Sequence, residues 1–154
     1  MTVKPKPEEL NKTEEINRAI DLFNRAHFFD AHEVLEDLWR SVAQDRPLRR
    51  HLQGMVQVAV AFHHQSTGNH VGARSVLERA IHNLNGADNS FPEIDLDQLH
   101  ADLAPWRHYL DHCGSMLDVR DGLQNNDVKR AKRKGVPDDI RDDAPPLPKI
   151  ILRQ

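Results

Sequence analysis

The segment from Pro47 to about Gln65 constrains the fold most, because it is apolar over most of the circumference that a helix would present. Leu52, Met55, Val56, Val58, Ala59, Val60 and Phe62 spread around the wheel, with Gly54 and Ala61 on the remaining side. A helix patterned this way must be contacted from several directions, so it belongs at the centre of a bundle. Asp45 and Pro47 mark its start, since proline suits a first turn and not a helix interior.

The preceding segment is one-sided. In FFDAHEVLEDLW, Phe28 to Trp39, a turn of 100° per residue brings Phe28, Ala31, Leu35, Leu38, Trp39 and Val42 into one arc of about 100°. His32 lies in that arc beside Trp39, and Glu36 sits at its edge near Phe29. Glu33 points further round, towards Asp37, Arg40 and solvent. Upstream, Asn11 and Glu14 form an N-x-x-E capping box that opens a first helix carrying Ile16, Ile20 and Phe23 at helical spacing. Downstream, the turn Ser66 to Asn69 leads into a fourth helix that closes at Asn85 and Gly86 with a left-handed cap.

Sliding the chain against itself by 42 residues brings Ala31, Val34, Leu35 and Glu36 onto Ala73, Val76, Leu77 and Glu78. The same helical hairpin thus occurs twice. At the positions of His32 and Glu33 the second copy has Arg74 and Ser75, so the hairpin itself does not require the His-Glu pair.

A fifth helix starts at Asp95, where Gln98 completes a D-x-x-Q capping box, and Leu96, Leu99 and Leu103 form its apolar stripe. Pro105 is expected to kink or restart it, placing Trp106, Tyr109 and Leu110 on a further helix. The expected fold is therefore all-α: a compact bundle of two helical hairpins plus one or two C-terminal helices over residues 1–124. Residues 125–154 read as an extended tail of charge and proline. Within it, Pro145 to Ile151 can dock as a strap, because Leu147, Ile150 and Ile151 gain from burial.

The net charge of −3 is unevenly spread: residues 1–126 carry 13 Lys/Arg against 19 Asp/Glu, and residues 127–154 carry 8 against 5. The globular part lacks the basic face that a phosphate backbone requires. Only the cluster Lys129 to Lys134 could supply a nucleic-acid contact. One cysteine, Cys113, makes no internal disulfide. No apolar run approaches the ~20 residues needed to cross a bilayer, and the first residues lack the apolar core of a secretory signal. The composition points to a cytoplasmic protein without membrane partners. Seven of the ten histidines (His27, His51, His70, His82, His100, His108, His112) share no spacing and read as surface or boundary residues.

The chemistry-capable residues concentrate on the second and third helices. His63 falls in the apolar arc of the third helix between Leu52 and Val56, so His32 and His63 can meet across neighbouring helices. With Glu36 at the rim and Gln53, Gln57 and His64 beside it, they form a candidate polar cluster: His32, Glu33, Glu36, Trp39, Gln53, Gln57 and His63. His32, Glu36 and His63 could bind a divalent transition metal with an open position, leaving Glu33 or His64 to move protons. Buried polar side chains in bundles are more often paired with one another, which makes the cluster a structural network first. HExxE differs from the zincin HExxH by the loss of the second histidine ligand. The paired ExxH sequences of di-iron bundles are absent, as are a phosphate-binding glycine loop and a G-x-S-x-G elbow.

FNRAHFFDAHEVLEDLWR (Phe23 to Arg40), LQGMVQVAVAFHH (Leu52 to His64) and GNHVGARSVLERA (Gly68 to Ala80) together resemble the bacterial and archaeal family called domain of unknown function 309. The resemblance covers about half the chain and rests on HExxExxW, the LQG that follows and an inward histidine. It implies a small all-helical bundle without an assigned activity. The motif positions it carries over are His32, Glu33, Glu36, Trp39, Gln53, Gly54 and His63.

Three functional readings follow. The leading one is a binding or scaffold module, with a protein partner or a second copy of itself, whose His/Glu cluster organises the core or lines a small pocket. It carries the expectation that His32→Ala costs several kcal/mol by orphaning a buried partner. The others are a metal-dependent hydrolase using His32, Glu36 and His63, and a nucleic-acid contact through Lys129 to Lys134.

Overall fold

The computed structural model describes residues 7–87, 93–120 and 144–153. They form a bundle of five helices, α1 (Pro7–Asn24), α2 (Phe28–Ser41), α3 (Pro47–Ser66), α4 (His70–Leu84) and α5 (Leu96–Arg120). Each helix packs on its neighbour in sequence, and α3 lies between α2 and α4. Among the described residues, β-type pairing is limited to one isolated antiparallel bridge, Ile94 with Leu152. No helix among them is long and apolar enough to cross a membrane.

The 42-residue repeat is visible in burial and in hydrogen bonding. Phe28, Ala31, Leu35, Leu38 and Val42 are the buried face of α2, and His70, Ala73, Leu77, Ala80 and Leu84 are that of α4, position for position. The turns agree as well. Ala26 and His27 donate to the carbonyls of Phe23 and Leu22, and Gly68 and Asn69 donate to those of Gln65 and His64. These bonds satisfy the last carbonyls of α1 and α3 through a residue with positive φ, Ala26 in one turn and Gly68 in the other.

An aromatic hub joins the hairpins to α5. Phe62 of α3 meets Phe23 of α1 and Phe28 of α2, with ring centroids 6.1 and 5.6 Å apart, and it receives Trp106 of α5 edge-on at 5.2 Å. Edge-to-face contacts of this kind add to the apolar burial of each ring. Gly54 lets α3 and α4 approach closely: a Cβ there would lie 2.8 Å from Cγ of Leu84 and 3.3 Å from the carbonyl oxygen of Ala80.

Several ends differ from expectation. The first helix is already under way at Asn11, so the N-x-x-E box does not cap it. α5 runs through Pro105 as one helix, because Leu99, Leu103, Trp106, Leu110 and Cys113 continue one buried stripe across the proline. At its start, Asp95 Oδ1 accepts from Gln98 N at 3.0 Å, but the reciprocal arm of the box is missing. The Gln98 amide instead donates to Asp102, and the Asp95 N–H donates to Ile151 O at 2.8 Å.

That last bond belongs to a C-terminal strap. Residues 144–153 lie along α1 and α5 in extended form, with Pro148 and Ile150 buried and Leu147 and Ile151 exposed. The domain boundary expected at 124/125 and the basic run Lys129 to Lys134 lie outside the described residues.

Candidate functional site

The α2–α3 seam contains most of the predicted polar residues, and it divides them into separate groups. On α2, Nε2 of His32 is 3.0 Å from Oε2 of Glu36, whose other oxygen accepts from Nη2 of Arg40 at 2.5 Å. Residues 32, 36 and 40 are successive turns of one helix, so this is a ladder of i,i+4 pairs. The side chains of His32 and Glu36 remain 24% and 28% exposed. His32 lies roughly 80° from the centre of the buried arc, at its flank, where α3 covers it only in part. The pair is therefore half-buried at the flank of the seam, less enclosed than the core network expected from the wheel.

α2 places Phe29, and not His32, against His63. The Phe29 ring centroid is 5.4 Å from that of His63 and 5.9 Å from that of His32, and Phe29 is 50% exposed. Among the described residues, no three His, Cys, Asp or Glu side chains are grouped so as to hold a metal ion. His32, Glu36 and His63 therefore do not assemble as a ligand set. An aromatic ring stands against both imidazoles, and Glu36 is already engaged by Arg40.

The remaining candidates go elsewhere. Glu33 and Gln53 are exposed. Gln57 accepts from Asn83 of α4 at 2.8 Å, which places it on the α3–α4 seam. His64 Nδ1 is 3.3 Å from the Asn69 amide, and its ring lies 6.3 Å from His63. Trp39 is only partly buried, and the guanidinium of Arg49 lies over its ring at 4.5 Å. α2 and α3 run antiparallel, so Trp39 meets the start of α3 while Phe29 meets its end. The two are separated by about 15 Å along the helix axis.

Four residues that matter here carry no motif. Arg49 donates to the carbonyls of Trp39 and Val42, and the adjacent Arg50 donates to that of His82. Two consecutive arginines at the start of α3 thus cap the C-termini of the helices on either side, where cations are favoured. Asn24 brackets the strap. Phe29 lay at the rim of the wheel, and its exposure was the available signal.

Two histidines read as surface residues are buried, His51 at 5% exposure and His70 at 8%. Burial lowers the pKa of both, and the charge of Arg50 adds to the effect on His51. His70 replaces Phe28 in the repeat. Its Nδ1–H donates to Gln65 Oε1 at 2.6 Å, and its buried Nε2 has no partner among the described residues. Cys113 is buried, and burial pushes its thiol pKa up, away from a nucleophile's range.

Fold and site together define a small bundle of repeated helical hairpins with an open, histidine-flanked aromatic seam and no assembled metal centre among the described residues. Residues 16–76, from mid-α1 into α4, match the family model described as Domain of unknown function (DUF309). The chain is similar to an "Uncharacterized protein" of Aquifex aeolicus (strain VF5), 25% identical over 79 residues, covering 51% of this chain and 23% of that one. It is also similar to the "Uncharacterized protein YpuF" of Bacillus subtilis (strain 168), 27% identical over 84 residues, covering 53% of this chain and 47% of that one. The match thus spans about a quarter of one curated relative and about half of the other.

Proposed function

We propose that this domain is a protein-binding module whose docking face is the α2–α3 seam centred on Phe29. The observation that carries the reading is the half-exposed Phe29 ring lying against the imidazoles of His32 and His63. An aromatic anchor with polar groups around it is the composition of an interaction hot spot, in which the apolar centre supplies affinity and the rim supplies direction. Val71 occupies the same register in the second hairpin and is more exposed, at 62%, but it is aliphatic, and Arg74 stands there at the position of His32. A cytoplasmic setting suits the module, because a lone thiol such as Cys113 stays reduced there.

The test compares Phe29→Asp with Val71→Asp. Both add a charge at equivalent exposed positions, so both variants should fold. Quantitative capture from a lysate of the source cell is expected to recover a protein with the wild type and Val71→Asp and to lose it with Phe29→Asp. If the partner is a second copy, light scattering will show an oligomer that only Phe29→Asp dissociates. Identical capture and identical mass for all three proteins would overturn the assignment.

A further inference from the structure

The C-terminal strap is held the way a recognised peptide is held. The Asn24 amide makes two hydrogen bonds to one residue: it donates to Ile150 O at 2.9 Å and accepts from Ile150 N at 2.8 Å. The Trp106 indole donates to Pro146 O at 2.9 Å, Asp102 accepts from Lys149 N at 3.2 Å, and Asp95 N donates to Ile151 O. All of these read the strap's backbone, and bundle side chains supply most of them. Two of its side chains, Pro148 and Ile150, are buried, whereas Pro146, Leu147, Lys149, Ile151 and Leu152 are exposed. Lys149 adds one contact, from Nζ to the Asn24 carbonyl. Backbone bonds together with buried side chains two residues apart are the binding mode of an extended peptide added to a groove.

The connection to the strap has the same implication. Twenty-three residues separate Arg120 from Ala144, and they contain no large aromatic side chain and many charges. The strap is covalently joined to the bundle, so it competes for the groove as an intramolecular ligand. The strap's last residues, Leu152 and Arg153, also line a cleft of about 340 Å³ with Ile16 of α1 and Leu48 of α3.

We infer that the α1–α5 groove is a peptide-docking site for extended segments carrying Pro-x-Ile at the inward positions, and that residues 144–153 are its tethered, displaceable occupant. The site is separate from the α2–α3 seam and does not depend on the function assigned there.

The test uses the full chain and a fluorescent peptide of residues 144–153. Ile150→Asp removes the strap's buried anchor and leaves Asn24 and Trp106 in place. The peptide is expected to bind Ile150→Asp at least about tenfold more tightly than wild type, whose groove is filled by its own strap. Adding Asn24→Ala to Ile150→Asp should abolish that gain, and a peptide carrying the same Ile-to-Asp change should bind neither protein. A folded Ile150→Asp chain that does not bind the peptide, or wild type and variant binding equally, would overturn the proposal. Should Ile150→Asp fail to fold, hydrogen exchange of the wild type decides. Displaceability requires the amides of Ile150 and Asp95 to exchange well before those of α3, and exchange of all of them only on global unfolding would make the strap ordinary core.

Discussion

Ala26 and Gly68, 42 residues apart, occupy the same place in two copies of one turn, with φ of +64° and +83°. Each donates its N–H to the carbonyl three residues back, and the residue after it reaches the carbonyl five back. The backbone there is left-handed, which glycine adopts freely and alanine adopts against the clash of its Cβ. Ala26→Gly should therefore stabilise the protein by about 1 kcal/mol, part of the relieved strain being offset by the greater freedom of glycine in the unfolded chain. Urea denaturation of the two proteins measures this, and a destabilised Ala26→Gly would refute it.

The closest helix approach makes the opposite demand. Leu84 is fully buried where it faces Gly54, so it cannot swing away from an added methyl group. Gly54→Ala should cost about 1–3 kcal/mol by overpacking, although alanine is the better helix former. Thermal melting would show the loss, and an unchanged midpoint would mean that α4 shifts freely.

His51 and His70 set a pH dependence. Both have folded-state pKa values below the ordinary histidine value of 6.5. The unfolded chain then binds more protons than the folded one once pH drops below that value. Stability should be fully present above it and should fall as pH falls through it towards the lower folded-state values. His70→Phe restores the residue type found at Phe28 in the first hairpin. It should fold and show a shallower decline between about pH 7 and 5. A decline as steep as that of wild type would remove His70 from the account.

The two ends of α2 should differ in sensitivity. His32 and Glu36 form a partly exposed pair within one helix, so His32→Ala should cost about 1 kcal/mol, below the several expected for a sealed cluster. Arg49 closes two carbonyls at the C-terminus of α2 and stacks on Trp39, so Arg49→Ala should cost about 1–2 kcal/mol. It should also change the fluorescence attributable to Trp39. Chemical denaturation ranks the two variants, and the reverse order would contradict the geometry.

The helices were legible because their apolar residues recur at 3.6, and the hairpin repeat because small and aliphatic residues recur at 42. Neither signal reports which neighbour a helix faces. His32 and His63 share the apolar side of their wheels, yet the antiparallel packing of α2 on α3 brings Phe29 to His63 and leaves His32 with Glu36 on its own helix. Proline at position 105 is a poor local choice, and the buried stripe from Leu99 to Cys113 outweighs it through tertiary burial that no local rule contains. His51 and His70 looked like surface residues because polarity was the only guide to their environment. The repeat could have corrected the second, since it aligns His70 with Phe28.

The bond between Asn24 and Ile150 joins residues 126 apart in the chain. The hairpins rest on contacts between sequence neighbours, which form quickly, whereas this bond needs a segment made long after α1. During synthesis α1 through α5 can be complete before residues 144–153 leave the ribosome. The groove between α1 and α5 therefore stays uncovered until residues 144–153 reach it.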